Sequence, residues 1–205
     1  MSFPARSTTD DSRERICSVA EALFRQIGYV KTTVADIASA LGMSSANIYR
    51  FFPSKGAIND AICRRILGEL QDQLASLAQG AGSPPARITA MVMAMHRHHK
   101  TQLTDARRVF DMVAAAMEEN WAAIEEHILI CRGHFARVIS AGMASGSFAP
   151  GDAADMAEMV MKSCVFAFHP MLIAGCGDMD MEPVVRRLSA FAIRALSHPA
   201  AERLA

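Results

Sequence analysis

The stretch KTTVADIASALGMSSANIYRFFPSKGAI, Lys31 to Ile58, constrains this chain more than any other. Val34, Ile37, Ala38 and Leu41 recur at spacings of three and four, which predicts a short helix from about Thr33 to Ala40 with one apolar face. Gly42 breaks the pattern and marks a sharp turn. A second short helix, from about Ser44 to Phe51, points Ile48 and Phe52 inward. Ser44, Ser45, Ala46, Asn47, Tyr49 and Arg50 are then left facing outward. Small and hydrogen-bonding residues at the start of a helix are what a DNA major groove admits, and the helix N-terminus offers backbone N–H groups to phosphate. Lys31, Thr32, Thr33 and Lys55 flank this pair as further phosphate donors.

The flanking sequence predicts more helix. Ile16, Ala20, Leu23, Phe24 and Ile27 have helical spacing, with Asp10, Asp11 or Ser12 as caps and Gly28 as the stop. Pro53-Ser54 ends the second short helix and starts a longer one, striped by Ile58, Ile62, Ile66, Leu70, Leu74 and Leu77. Gly80 to Pro85 is the clearest break. Beyond it, helices are expected at roughly 86–98, 104–118, 120–144, 152–174 and 181–197, with Gly142 and Gly146 to Gly151 marking one loop and Pro183 in the first turn of the last helix. Apolar residues make up 51% of the chain and aromatics only 6%, with few β-branched runs. The expected fold is therefore all-α: a three-helix head followed by a helical bundle, about nine helices in all. The expected domains are residues 1–54, which bind DNA, and 55–205, which sense a ligand and dimerise. Formal net charge is zero, so any nucleic-acid site is a local patch; residues 1–55 hold seven Lys/Arg against five Asp/Glu.

The combined pattern resembles the DNA-binding domain of TetR-family regulators. Thr32, Thr33, Ile37, Ala38, Leu41, Gly42, Ser44, Ile48, Tyr49, Phe52 and Lys55 carry the resemblance, with Ala22-Leu23-Phe24 and Gly28-Tyr29 upstream. It covers about residues 12–62. It implies base contacts from Ser45, Ala46 and Tyr49, and phosphate contacts from Thr33, Asn47, Arg50 and Lys55. Val34 stands where some members place a charged base contact. The resemblance further implies that the fourth helix relays a ligand-induced shift and that the last two long helices form a four-helix interface in a homodimer. The expected partners are a double-stranded DNA operator, a second copy of the chain and a small apolar effector. Repression is the family default.

After Pro85 the sequence is less informative. Ten methionines between Met91 and Met171 suit an adaptable apolar pocket, and equally an irregular core. Met112, Trp121, His127, Phe168 and His169 are the candidate pocket residues, Trp121 and Phe168 as aromatic walls. His96, His98 and His99 are expected to be solvated at a helix end. His127 shares a face with Ile124, Cys131, His134 and Val138, and His169 precedes Pro170, where the helix should bend. Asp111, His127 and His169 are candidate ligands of a divalent metal, although the spacing lacks an HxxxH-type signature; Asp111 could equally pair with Arg107 or Arg108. No cofactor is expected to be required.

The chain lacks GxGxxG, Walker and GxSxG motifs, so no enzyme is expected; an all-helical metal-dependent enzyme using the C-terminal histidines is the alternative. Cys17, Cys63, Cys131, Cys164 and Cys176 form no CxxC pair and read as reduced thiols. The first fifteen residues have no apolar h-region, and Val165 to Gly175 is too short to span a bilayer, so a cytoplasmic protein is expected, with no membrane partner.

Overall fold

A computed structural model of the chain describes residues 8–102 and 121–198. Among these residues every regular element is a helix. They are α1 (Thr8–Ile27), α2 (Val34–Ala40), α3 (Ser45–Tyr49), α4 (Lys55–Gln79), α5 (Pro84–Gln102), α6 (Trp121–Ala144), α7 (Ala153–Ser163), α8 (Val165–Phe168), α9 (Pro170–Gly175) and α10 (Glu182–Leu196). No helix among the described residues is long and apolar enough to cross a membrane. The chain divides into two packing units, and along α4 the division falls between Leu67 and Gly68.

In the first unit, α1 starts before its expected caps, so Asp10 and Asp11 lie in its first turn, where they offset the helix dipole. Gly28 closes α1 at φ +95°, a backbone conformation that side chains with a Cβ rarely adopt. Its N–H donates to Phe24 O at 3.0 Å. The stripes of α1 to α4 meet in one core, with Ile16, Phe24, Ile37, Ile48, Phe52 and Ile58 almost fully buried.

The second unit is built by α5 packing against α8, α9 and α10, with α7 against α8 and α10. Leu70 and Leu74 of α4 join Met91, Phe135, Val138 and Val160 in its core. Met91, Met93 and Met95 are all buried there, so these three methionines fill core space.

Three expectations need correction. The helix expected over 152–174 is three pieces. Asp152 caps α7, accepting from Ala154 N at 2.8 Å and Asp155 N at 3.2 Å, and the helix ends at Cys164. His169 is extended (φ −70°, ψ 122°), because the ring of Pro170 disfavours helical backbone in the residue before it. Gly142 is not in a loop. It lies inside α6, where a Cβ would sit 2.1 Å from Cδ2 of Phe148. The missing side chain is the slot for that ring. Finally, His96 is not solvated: it is 1% exposed, and its Nδ1 lies 2.7 Å from Ala167 O.

Candidate nucleic-acid interface

The head presents α3 through a set of short side chain–backbone bonds. Thr33 caps α2 in a reciprocal box: its hydroxyl accepts from Asp36 N at 3.1 Å, and the Asp36 carboxylate accepts from Thr33 N at 2.8 Å. The Thr33 hydroxyl also donates to Asp36 Oδ2 at 2.7 Å. Those bonds hold the Asp36 carboxyl below its usual pKa. Gly42 turns the chain at φ +65°. Ser44 then caps α3, its Oγ accepting from Asn47 N at 3.2 Å, and its own proton stays available.

Ile48 is buried in α3, whereas its neighbour Tyr49 is 53% exposed. Ser44, Ala46 and Arg50 are exposed too, and Ser45 and Asn47 are half-buried. The exposed apolar ring of Tyr49 beside a full core is unusual for a residue that only packs. Lys31 and Arg50 are exposed cations without a partner among the described residues.

Besides Thr33, whose N–H and hydroxyl both donate to Asp36, two residues expected as phosphate donors are otherwise engaged. The buried Thr32 hydroxyl donates to Gly28 O at 2.8 Å and so finishes α1. The Lys55 ammonium donates to Tyr29 O at 2.8 Å, Thr32 O at 3.0 Å and, more weakly, Val30 O at 3.5 Å. It also lies 4.3 Å from the centroid of the Tyr29 ring. Lys55 therefore ties the start of α4 to the loop that leads into Thr33. Sequence reading also missed Arg13. From α1 its guanidinium donates to Phe51 O and lies 4.1 Å from the Phe52 ring centroid, clamping the end of α3. An arginine among the polar residues of α1 carries no local signal of that role.

The pocket and metal candidates belong to the other unit. Asp111 and Met112 lie outside the described residues, as does the side chain of Trp121. Phe168 is buried in the second core. His127 is buried, with Nδ1 3.1 Å from Gln71 Nε2 and Nε2 3.5 Å from Cys131 Sγ. Burial, then the nearby His98, pushes the His127 pKa down to about 4, and burial pushes the Cys131 thiol up to about 12. This is a neutral imidazole beside a neutral thiol. Among the described residues no three His, Cys, Asp or Glu side chains are placed to hold a metal ion.

With this geometry in view, the similarities to known proteins fall into line. Residues 16–62 match the model for "Bacterial regulatory proteins, tetR family", and residues 84–188 match "Tetracyclin repressor-like, C-terminal domain". The chain belongs to the TetR family. As such it is a DNA-binding transcriptional regulator. It is 25% identical over 202 residues to the HTH-type transcriptional repressor KstR2 of Rhodococcus jostii, covering 96% of this chain and 97% of that one. Among solved structures, a TetR/AcrR-family regulator from Thermobifida fusca superposes with a TM-score of 0.70 at 23% identity, covering 92% of this chain and all of that one. The fatty acid degradation regulator FadR from Bacillus halodurans gives 0.69 at 17% identity, over 96% of this chain and all of that one. In this TetR-family chain, α2 and α3 lie inside the matched helix-turn-helix region.

Proposed function

We propose that the chain is a homodimeric repressor that holds its operator through α3 in the major groove and releases it when a small apolar molecule binds the second unit. The observation that carries the DNA reading is the two-sided α3. Ile48 is buried, while Ser44, Ala46, Tyr49 and Arg50 face solvent. Ser45, Ala46 and Tyr49 read bases; Asn47 and Arg50, with Lys31, meet phosphates. The name of the Rhodococcus relative supports repression as the sign of control. The protein works in the cytoplasm.

The dimer reading rests on exposed apolar side chains of α7 to α10. Met159, Val165, Phe166, Leu172, Val184 and Phe191 are all more than a third exposed, Phe191 at 61%. Two copies would bury these faces against each other. Val160 of α7 and Leu196 of α10 are instead buried in the protomer's own core.

The test is fluorescence anisotropy with duplex DNA from the chain's own upstream region. Specific binding is expected, and Ser45→Ala and Tyr49→Ala should change sequence preference as well as affinity, with each lost base contact costing about 1–3 kcal/mol. Sequence-independent binding alone would overturn the reading. Light scattering should give a dimer at micromolar concentration, and Phe191→Glu should give a monomer.

A further inference from the structure

α3 is too short to hold itself in place. It runs only from Ser45 to Tyr49, five residues, and an isolated helix of fewer than about 12 residues is marginal in water. Its start is framed locally by the Ser44 cap. Its end is framed from far away. Phe51 N and Phe52 N both donate to Ile48 O, at 2.9 and 3.0 Å. Pro53 follows; its ring disfavours helical backbone at Phe52, and it has no N–H of its own to give. The helix therefore cannot run on, and among the described residues no backbone N–H reaches Phe51 O.

That carbonyl is taken by Arg13, 38 residues earlier on α1. The same guanidinium lies 4.1 Å from the Phe52 ring centroid. One planar cation thus holds two successive residues, Phe51 by its backbone and Phe52 by its ring. A cation here also suits the partial negative charge of a helix C-terminus. Both anchors are firm. α1 is 20 residues long and is fixed in the head by Ile16, Ala20 and Phe24, all fully buried, and Phe52 belongs to the same core. Arg13 itself is exposed, so removing its side chain empties no core space. What it holds is the segment directly after Tyr49 and Arg50, two of the residues placed against DNA above.

We propose that Arg13 is a positioning residue for operator recognition: without touching DNA, it sets the angle at which α3 presents Tyr49 and Arg50. This rests on α3 lying in the major groove, as proposed above. A hydrogen bond to a base edge weakens steeply once donor and acceptor are misaligned. Attraction to the phosphate backbone is independent of sequence and tolerates the same displacement. Loosening the end of α3 therefore costs sequence discrimination more than general affinity. Lysine is an incomplete substitute, because it keeps a charge and a donor for Phe51 O but has no planar face to lay on Phe52.

The experiment uses the full chain with two probes: a duplex that the wild-type chain selects from a randomised pool, and a scrambled duplex of the same composition. Arg13→Met and Arg13→Lys are compared with wild type at a temperature well below the lowest of the three melting points, so that unfolding does not enter. Phe51-Phe52 is the only Phe-Phe pair in the chain. Phenylalanine labelled with 13C at the carbonyl and 15N at the amide therefore gives one carbonyl–amide NMR cross-peak, which reports directly on Phe51 O. Arg13→Met should move that peak. It should weaken the selected duplex by about tenfold or more and the scrambled duplex by less than about threefold, with the slope of log affinity against log salt unchanged to within about half a unit. Arg13→Lys should fall between Arg13→Met and wild type on the peak and on the discrimination ratio. An unmoved peak or an unchanged discrimination ratio in Arg13→Met would overturn the proposal. So would a salt slope lower by about one with both duplexes weakened alike, which would make Arg13 a phosphate contact. A wild-type chain that selects no sequence sinks the groove reading and the positioning role with it. A wild-type chain that does select, beside an Arg13→Met that discriminates equally well, sinks the positioning role alone.

Discussion

The head and the second unit use the same kind of helix but differ in what holds it in place. In the head, local bonds set the geometry: Thr33 with Asp36, Ser44 with Asn47, Ser54 with Ala57, and Thr32 with Gly28. Each joins residues three or four apart. In the second unit the deciding contacts join distant residues: His96 with Ala167, Gln71 with His127, Arg132 with Glu158, and Arg97 with Glu182. A recognition helix must present side chains in a fixed frame, and short-range caps supply that frame. A helical bundle is free to vary as long as its core fills.

The largest expected effects come from the two cores. Phe24→Ala in the head and Phe135→Ala in the second unit each remove a fully buried ring and should cost about 3–5 kcal/mol. Hydrogen exchange resolved by segment should place each loss in its own unit. Equal loss of protection in both would break the comparison.

Acid should separate the units next. His127 titrates near 6.5 when unfolded but at about 4 when folded, so the unfolded chain binds the extra proton. The stabilisation is complete above about pH 6.5 and is lost as pH falls toward the folded value. At pH 5 the second unit should have lost up to about 2 kcal/mol from this group alone. All seven histidines lie at 96–198, so the head should hold steady over the same range. Urea melts at pH 7 and pH 5, followed by segment-resolved exchange, measure this.

Lys55→Met tests one of the head's long-range clamps. Losing charge-assisted bonds to the loop carbonyls should cost about 1.5–3 kcal/mol of head stability and weaken binding to every DNA sequence. The slope of log affinity against log salt should change by well under one unit. A drop of about one would mark a direct phosphate contact.

Gly142→Ala sets local preference against tertiary contact. In an isolated helix it would stabilise by about 1 kcal/mol. Here the new Cβ meets the Phe148 ring, so a loss of about 1–3 kcal/mol is expected in a thermal melt. Thr33→Ala is the smallest change. It removes one cap of α2 and should cost about 1 kcal/mol, with DNA affinity falling in step.

Most of the head could be read from the chain because its signals are local. Gly28 and Gly42 do take positive φ, Ser54 does cap α4, and Ile37, Ile48 and Phe52 are buried as their spacing requires. The exposure of Ser44, Ala46, Tyr49 and Arg50 was equally legible, since the apolar stripe of α3 leaves them over, whereas Ser45 and Asn47, expected outward as well, are half-buried. The roles of Arg13 and Lys55 were not. Their partners lie 38 residues away and 23 to 26 residues away, and neither residue carries a local sign of them.

The linear order of residues by itself determined the helical class, the helix-turn-helix and its outward face, because caps, glycine turns and 3.6-residue periodicity act within a few positions. Tertiary structure alone decided that the region expected as one helix at 152–174 is three pieces, that Gly142 is a slot for Phe148, and that His96 is buried rather than solvated. It also decided which apolar stripes are already covered: Val160 and Leu196 face inward while Phe191 stays exposed. Periodicity says that a helix has an apolar face. Only packing says what that face meets, because burial is a property of neighbours that the chain brings together from far apart.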